Sequence, residues 1–410
     1  MKGSNVLKKL YLLCSFLFIF LSSLGADELE SILSENKTLL FKYDFEKNEL
    51  ESDKLSKSWI NPVMLRYNKR YSTQLINETT KTGNYSIYID QPIFRSGGIY
   101  FAIKYANAYR VTNKTDLVLQ QRKMIGDAVS ILFQLKKNTL EQQKLRYQIK
   151  NDKIDIQQKR DSYNAGILDS SFLDQAILKK SQDEARLLEF QLNLLELKQH
   201  FSLLSDKKPE RLKLPHLKLI SKKNYKSQNL ELKKDIMYAE ETEYLSKMTI
   251  SKYLPTVSLQ GEYIDGDINP AFDFPGAQPR FNEKYYNYGF TVSLPLDINS
   301  FTDIESSKVS KLRAAAQVLD RRETVNEEYD WIRNSLNILD RKIVLAKKDE
   351  KIYGNLYKVT KNLVQAGEKT SLDADVMGNS LQIRKIDQRI YSIDKQIQLL
   401  KLYIRVENVL

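Results

Sequence analysis

The chain has 410 residues, with 64 lysines and arginines against 52 acidic side chains, two histidines and one cysteine. A lone cysteine, Cys14, leaves no internal disulfide, and His200 and His216 stand in unrelated contexts without metal-ligand spacing, so no metal, cofactor or catalytic centre is expected and the chain does not read as an enzyme. The net charge of +12 is scattered along helical runs beside acids, which fits solvated helix faces and no nucleic-acid partner.

Residues 1–26 read as a signal peptide: Lys2, Lys8 and Lys9 without an acid, a mostly apolar run over 10–21, then Ser22-Ser23-Leu24-Gly25-Ala26. Leu12-Leu13 before Cys14 are too large for a lipidation site. Without the three lysines, 61 basic side chains face 52 acidic ones, a net charge of about +9. No later apolar run approaches twenty residues, so any membrane span is made of strands.

Residues 27–224 form the first of two similar segments. A short helix is expected over 28–57 and a strand hairpin over about 61–94. Val63, Leu65, Tyr67 and Tyr71 alternate with Met64, Arg66, Asn68 and Arg70; after a polar turn over 77–84, Tyr85, Ile87 and Ile89 alternate with Ser86, Tyr88 and Asp90. Gln91-Pro92-Ile93-Phe94 closes the hairpin. A helix over 98–163 and a return helix over 171–205 follow, joined by "YNAGILDSSFLDQA". In the linker 206–224, "RLKLPHLKLI" alternates Leu and Lys around Pro215 and suggests a brief strand.

Residues 225–410 repeat the plan. A short helix over 225–252 precedes a hairpin over about 253–297. There Val257, Leu259 and Tyr263 alternate with Ser258, Gln260 and Glu262, and Tyr286, Tyr288, Phe290, Val292 and Leu294 with polar residues. A longer loop rich in Pro, Gly and aromatics joins the two strands; its "DGD" at 265–267 lacks the rest of a calcium loop. Leu294-Pro295-Leu296-Asp297 leads to a helix over 303–366, the turn "LVQAGEKTSLDADV" and a return helix. Its Ile383, Ile386, Ile390, Ile393, Ile397, Leu400 and Ile404 recur at alternating spacings of 3 and 4, a coiled-coil seam. Shorter seams run through Leu194, Leu197, Phe201 and Leu204, and through Met124, Ala128, Ile131 and Leu135. Pro92 to Gly166 spans 74 residues and Pro295 to Gly367 spans 72, so the duplication holds one spacing. Helices of roughly 65 residues reach about 100 Å, longer than a compact domain needs, and imply an extended bundle.

Two readings fit the strands: one face packs on a soluble core, or one face meets lipid and the other water. In the second, four strands cannot close a barrel and an open edge in lipid is costly, so further copies must complete it. Two copies give eight strands with a filled interior; three give twelve and room for an opening, as a conduit requires. Tyr67, Tyr71, Tyr85, Tyr263, Tyr286 and Tyr288 are then candidates for a lipid-interface girdle, or else ordinary core tyrosines. Arg66, Arg70, Asp90 and Glu262 share the polar face and suggest a mixed-charge lumen.

"PIFRSGG" at 92–98, "VSLPLDIN" at 292–299, the "YNAG" and "VQAG" turns and the duplication, in this order and spacing, together resemble the TolC-type outer-membrane efflux proteins over about 28–410. The resemblance implies a fold that is mainly α with a membrane β-barrel: a homotrimer with a twelve-stranded barrel in outer-membrane lipid and a helical periplasmic tunnel. It implies a passive exit duct, supplied by a periplasmic adaptor and an inner-membrane pump or a type I secretion transporter. Pro92 and Pro295 mark the barrel-to-helix transitions. The two turns become the adaptor-contact tip, with Ala165, Gly166, Ile167 and Ser171 in one copy and Ala366, Gly367, Thr370 and Ser371 in the other. Family members often have Val-Gly-Leu there; Ala-Gly-Ile and Ala-Gly-Glu depart from it. The resemblance also offers Asp174, Asp373 and Asp375 as acidic rings at a pore constriction, against the plainer reading of acids complementing a helix N-terminus. Both glycines suit a left-handed helix end, and Asp169 or the serines suit N-caps. A periplasmic or surface coiled-coil scaffolding or adhesion protein with a small β head is the alternative.

Overall fold

A computed structural model describes residues 31–75, 78–266 and 284–407. The signal segment and residues 267–283 of the long loop lie outside the described residues. The chain is mainly α-helical with one antiparallel sheet. Helix α1 (Glu35–Ser56) leads to strands β1 (Met64–Leu75) and β2 (Glu78–Phe94), then to α2 (Gly98–Asn164) and α3 (Ser170–Ser202). A 3₁₀ turn (Pro209–Arg211), α4 (Lys222–Ser227) and α5 (Leu230–Lys252) follow. Strands β3 (Thr256–Gly266) and β4 (Lys284–Ser293) then precede α6 (Ser300–Gln365) and α7 (Ser371–Tyr403). The 67 residues of α2 run about 100 Å. No helix among the described residues is long and apolar enough to cross a membrane.

The elements fall into two compact units, with α1, α2, α5 and α6 contributing to both. The sheet-bearing unit comprises Tyr43–Asp116 and Leu232–Arg322. Its strands lie in sequence order, each antiparallel to the next. The segment 77–84, expected as a polar turn, is a strand from Glu78 onward, with Leu75 paired to Glu78 and Arg70 to Thr82. Its threonines at 79, 80 and 82 are β-branched and suit a pleated strand, so polarity misled where propensity did not. Pro92 sits inside β2 at a register shift, where a strand tolerates a residue that cannot donate. Beyond it, Ser96 and Gly97 take φ of +48° and +85° to turn strand into helix, and the Ser96 hydroxyl donates to Pro255 O at 2.7 Å. A Cβ on Gly98 would lie 2.6 Å from Ser251 Oγ, so α2 starts in close contact with the end of α5. Pro295 instead lies in an irregular segment after β4, and α6 starts at Ser300 rather than 303, because the Asn299 N–H donates to Asp297 Oδ1 (2.9 Å) and the Ser300 N–H to Asp297 O (3.1 Å). Buried Asp235 of α5 accepts from Arg321 (2.7 Å) and Gln317 (3.0 Å) of α6.

The helical unit comprises, among the described residues, 31–42, Leu117–Glu231 and 323–407. The coiled-coil seam of α7 is where it was expected: Ile383, Ile386, Ile390 and Leu400 are buried, and Ile386 and Ile390 pack with Leu140 of α2. Each such side chain contributes on the order of 2 kcal/mol. On α2 the buried set is broader than the expected stripe: Ile125, Val129, Leu132 and Phe133 are fully inside, while Met124 and Ile131 are half-buried. A helix enclosed on two sides outgrows a single heptad seam. Polar contacts fix register between the helices. Buried Asp387 takes Lys144 (2.7 Å) and Arg384 (3.1 Å), and Asn138 donates to Asn193 (2.9 Å).

Two sequence expectations change here. The second short helix is broken into α4 and α5 at Gln228-Asn229, where the C-terminal segment pairs with it: Leu230 N–H donates to Arg405 O (2.8 Å) and Glu407 N–H to Gln228 O (3.2 Å). The segment 211–220 forms no strand: Arg211 closes the 3₁₀ turn and residues 213–220 have no regular structure. Its backbone groups find side chains in place of a ladder: Gln396 brackets Leu217, and the Tyr403 and Tyr329 hydroxyls donate to Lys218 O and Ile220 O. Gly126 admits this C-terminal region, since a Cβ there would lie 2.2 Å from Ile404 Cγ1.

Candidate functional site: paired helix turns and an apolar sheet face

The two helix turns share one backbone solution. At the end of α2, Ile167 N–H donates to Ser162 O and Gly166 N–H to Tyr163 O, both at 2.9 Å. At the end of α6, Glu368 N–H donates to Leu363 O (2.9 Å) and Gly367 N–H to Val364 O (3.1 Å). This is the Schellman helix stop, and it requires the left-handed glycines seen at φ +70° and +80°. A Cβ on either glycine would meet no atom within 4 Å, so the requirement is conformational and not steric. Ala165, Gly166, Ala366 and Gly367 are exposed, and Ile167 presents 76% of its surface.

The caps that follow differ. Asp169 caps α3, its carboxylate accepting the Ser171 N–H at 2.8 Å; those hydrogen bonds hold its pKa below the usual carboxylate value. Thr370 caps α7 in a capping box. Asp373 Oδ2 accepts from the Thr370 N–H (3.0 Å) and hydroxyl (2.8 Å), while Thr370 Oγ1 accepts the Asp373 N–H (3.3 Å). The bonds from Thr370 depress the Asp373 pKa in turn. Ser171 and Ser371 thus lie in the first turns of the return helices. Of the candidate ring acids, Asp373 is engaged in its cap and also receives Gln158 Nε2 of α2 (3.4 Å), whereas Asp174 and Asp375 are exposed at matching places in the two copies. Gln158 brings the first copy's long helix to the second copy's turn, a contact no local sequence pattern announces.

In the sheet-bearing unit, all six candidate tyrosines project from one face. Cross-strand rows read Leu65, Ile87, Tyr263, Tyr286 and then Tyr67, Tyr85, Asp265, Lys284. Tyr288 and Phe290 extend this face along β4, and Tyr71 extends it along β1. The Tyr67 and Tyr85 rings lie 4.7 Å apart, and those of Tyr286 and Tyr288 6.2 Å. The face is uncovered: Tyr288 is 84% exposed. Arg66, Ser86, Tyr88, Glu262 and Thr291 share the other face, where Arg66 lies 5.8 Å from the Tyr88 ring centre and the Thr291 hydroxyl donates to Gln260 at 2.9 Å. Outer strands β1 and β4 each pair on one side only among the described residues.

A stripe absent from the sequence reading is exposed in the helical unit. Trp331, Ile338, Leu345, Ile352 and Val359 recur every seven residues along α6, and Leu188, Leu192 and Leu195 mark a shorter apolar stripe on α3. Their spacing alone carried the signal.

No protein-family model and no curated protein sequence matches the chain. Solved structures do. The chain is similar to the outer membrane protein VceC of Vibrio cholerae, at 15% identity and TM-score 0.68, over 89% of this chain and 92% of that one. It is similar to the outer membrane channel CmeC of Campylobacter jejuni, at 14% identity and TM-score 0.69, over 93% and 86%. The open state of the Neisseria gonorrhoeae outer membrane channel MtrE matches at 11% identity and TM-score 0.64, over 92% and 87%. The chain therefore has the fold of the TolC-type outer-membrane channels that its motifs resemble.

Proposed function

We propose that this chain is the outer-membrane exit duct of a tripartite efflux or type I secretion system. It works as a homotrimer and as a passive conduit, not an enzyme. The observation that carries the reading is the sheet: four strands whose outer members pair on one side only among the described residues, and one uncovered face dominated by aromatic and aliphatic side chains, with the Lys284–Asp265 ion pair at its far end. From Tyr286 to Leu294, one residue past β4, the exposed apolar series runs eight residues, about 27 Å at strand rise. Tilted by about 40°, it spans about 20 Å, near the height of a barrel's lipid-facing band. A small soluble head would bury this face, so the scaffold alternative loses its basis. Three copies joining β4 of one to β1 of the next close twelve strands and leave no edge in lipid. The heptad stripes on α6 and α3 fit the same assembly, since exposed stripes at coiled-coil spacing seek partner helices. The two turns, with Ile167 and Glu368 following their glycines, are the tip offered to a periplasmic adaptor that connects to an inner-membrane pump.

Fractionation tests this directly. The full chain is expected in the outer membrane as a trimer that resists detergent and dissociates on heating; a monomer in the soluble periplasmic fraction refutes the reading. Crosslinking from residues 165 and 366 is expected to capture an adaptor, and equal capture from mid-helix positions refutes the tip assignment.

A further inference from the structure

About eighteen ångströms before the α2 turn, by helix rise, Asp152 lies almost wholly inside the α2–α3 hairpin, with 2% of its side chain exposed. One oxygen, Oδ1, accepts the Lys179 ammonium at 2.6 Å. The other, Oδ2, is buried and receives no donor. A buried carboxylate oxygen left without a donor costs on the order of 1–3 kcal/mol, so a native structure calls for an explanation of it. One helical turn past Lys179 on α3 stands a second carboxyl, Asp183, itself only 13% exposed, and both acids act on the Lys179 ammonium. Two carboxylates cannot bond to each other, but a carboxylic acid and a carboxylate can.

We propose that Asp152 and Asp183 share one proton and so form a proton-operated clamp on the α2–α3 hairpin. Asp183 carries the proton and donates it to Asp152 Oδ2, while Lys179 balances the remaining negative charge. The donorless Oδ2, the Lys179 bond and the low exposure of both acids carry the assignment, and the electrostatics agree in naming Asp152 as the side chain that bonds Asp183. Burial is the larger cause and Asp152 the next in holding the Asp183 pKa above the usual carboxylate value, against Lys179 and Arg186. Arg186 is 3.8 Å away and mostly exposed, a weak opponent. Asp155, the remaining acid acting on Lys179, is paired to Lys159 at 3.1 Å. The neighbouring contact to α7 is uncharged, Asn151 with Asn379 and Ser380.

The sign follows from linkage. A carboxyl whose folded pKa is raised contributes stability that is complete below its unfolded pKa and disappears as pH rises through the folded value. The hairpin therefore tightens toward acid and loosens above the raised pKa of Asp183. Through that window, each pH unit changes its opening equilibrium by up to about tenfold.

Asp183→Asn tests this, because an amide donates to Asp152 Oδ2 at every pH. Amide exchange across 145–190 of the full chain, corrected for intrinsic rates, is expected to show wild-type protection falling as pH rises through the window, with the variant protected throughout. The infrared band of a buried protonated carboxyl, present in the wild type, disappears in the variant. A wild-type hairpin with no such band, or a variant whose protection keeps the wild-type pH dependence, overturns the proposal. Asp152→Asn guards against misfolding as an explanation: it leaves Asp183 ionisable but takes away the carboxylate that shares its proton, so the window of falling protection is expected to move toward the ordinary carboxylate range, with burial alone holding it up.

Discussion

Replacing Gly166 by alanine separates backbone demand from partner contact. Because a Cβ there meets nothing within 4 Å, the penalty arises from the +70° φ alone. An L-residue in that region costs about 1–2 kcal/mol, and alanine recovers part of it, about 0.4–1 kcal/mol, by restricting the unfolded chain. The net loss is about 1 kcal/mol, or roughly fivefold in a local opening equilibrium. Asparagine enters the left-handed region more readily and should lose less. Amide exchange at Gly166 and Ile167, whose N–H groups close the turn, reads the effect directly. If Gly166→Asn exchanges as fast as Gly166→Ala, or if alanine changes nothing, the conformational account fails. Adaptor capture supplies the second readout: Ile167→Ala leaves the turn protected but reduces capture, while Gly166→Asn retains it.

The second turn should respond at its cap, with Thr370→Ala costing about 1 kcal/mol in thermal unfolding. Asp373, whose pKa is lowered by Thr370, contributes stability above the ordinary carboxylate range and loses it as pH falls through the lowered value. Asp373→Asn should therefore abolish an acid-dependent loosening of that turn seen by amide exchange. In single-channel recordings, Asp375→Asn should lower cation selectivity, whereas Asp373→Asn should act mainly on the turn. Tyr288→Asp with Phe290→Asp should keep the chain out of the outer-membrane fraction while Thr291→Asp does not, since only the first pair meets lipid in the proposed barrel. Leu345→Lys should abolish the trimer on native gels, because a charge would enter the seven-residue stripe of α6.

Much of this fold was readable because its signals are local and periodic. The α7 isoleucines alternate at 3 and 4, and the sheet tyrosines alternate at 2, so burial and facing follow from spacing. What escaped depends on distant chain. Nothing near Gln228 shows that residues 405–407 pair there and split a helix, nor that Gln396 and Tyr403 supply the bonds a strand would have supplied to 217–218. Asp152 and Asp183 read as two acids among many until the hairpin register sets them side by side. Asp373 shows a related point: an acid three residues after Thr370 can serve a capping box or a ring, and the observed bonds establish the first while the second stays a proposal.

The two copies show which part of the turn is required and which is free to differ. Both keep a left-handed glycine and the same pair of closing hydrogen bonds. Their caps are built differently: Asp169 caps the first return helix through its own carboxylate, while at the equivalent place Thr370 does so and recruits Asp373, a position that Phe172 occupies in the first copy. Stability alone would not separate them, since either cap satisfies the helix end. The divergence instead changes what the turns display. One presents exposed Ile167 with Phe172 close behind; the other presents Glu368 and Lys369 with its cap acid occupied. A single partner surface meeting both turns must therefore offer an apolar socket to one and a polar, charge-bearing surface to the other. Exchanging Ile167 and Glu368 between the copies should then weaken adaptor capture while leaving both turns equally protected from exchange, and undiminished capture by the exchanged chain would show that partner choice lies elsewhere.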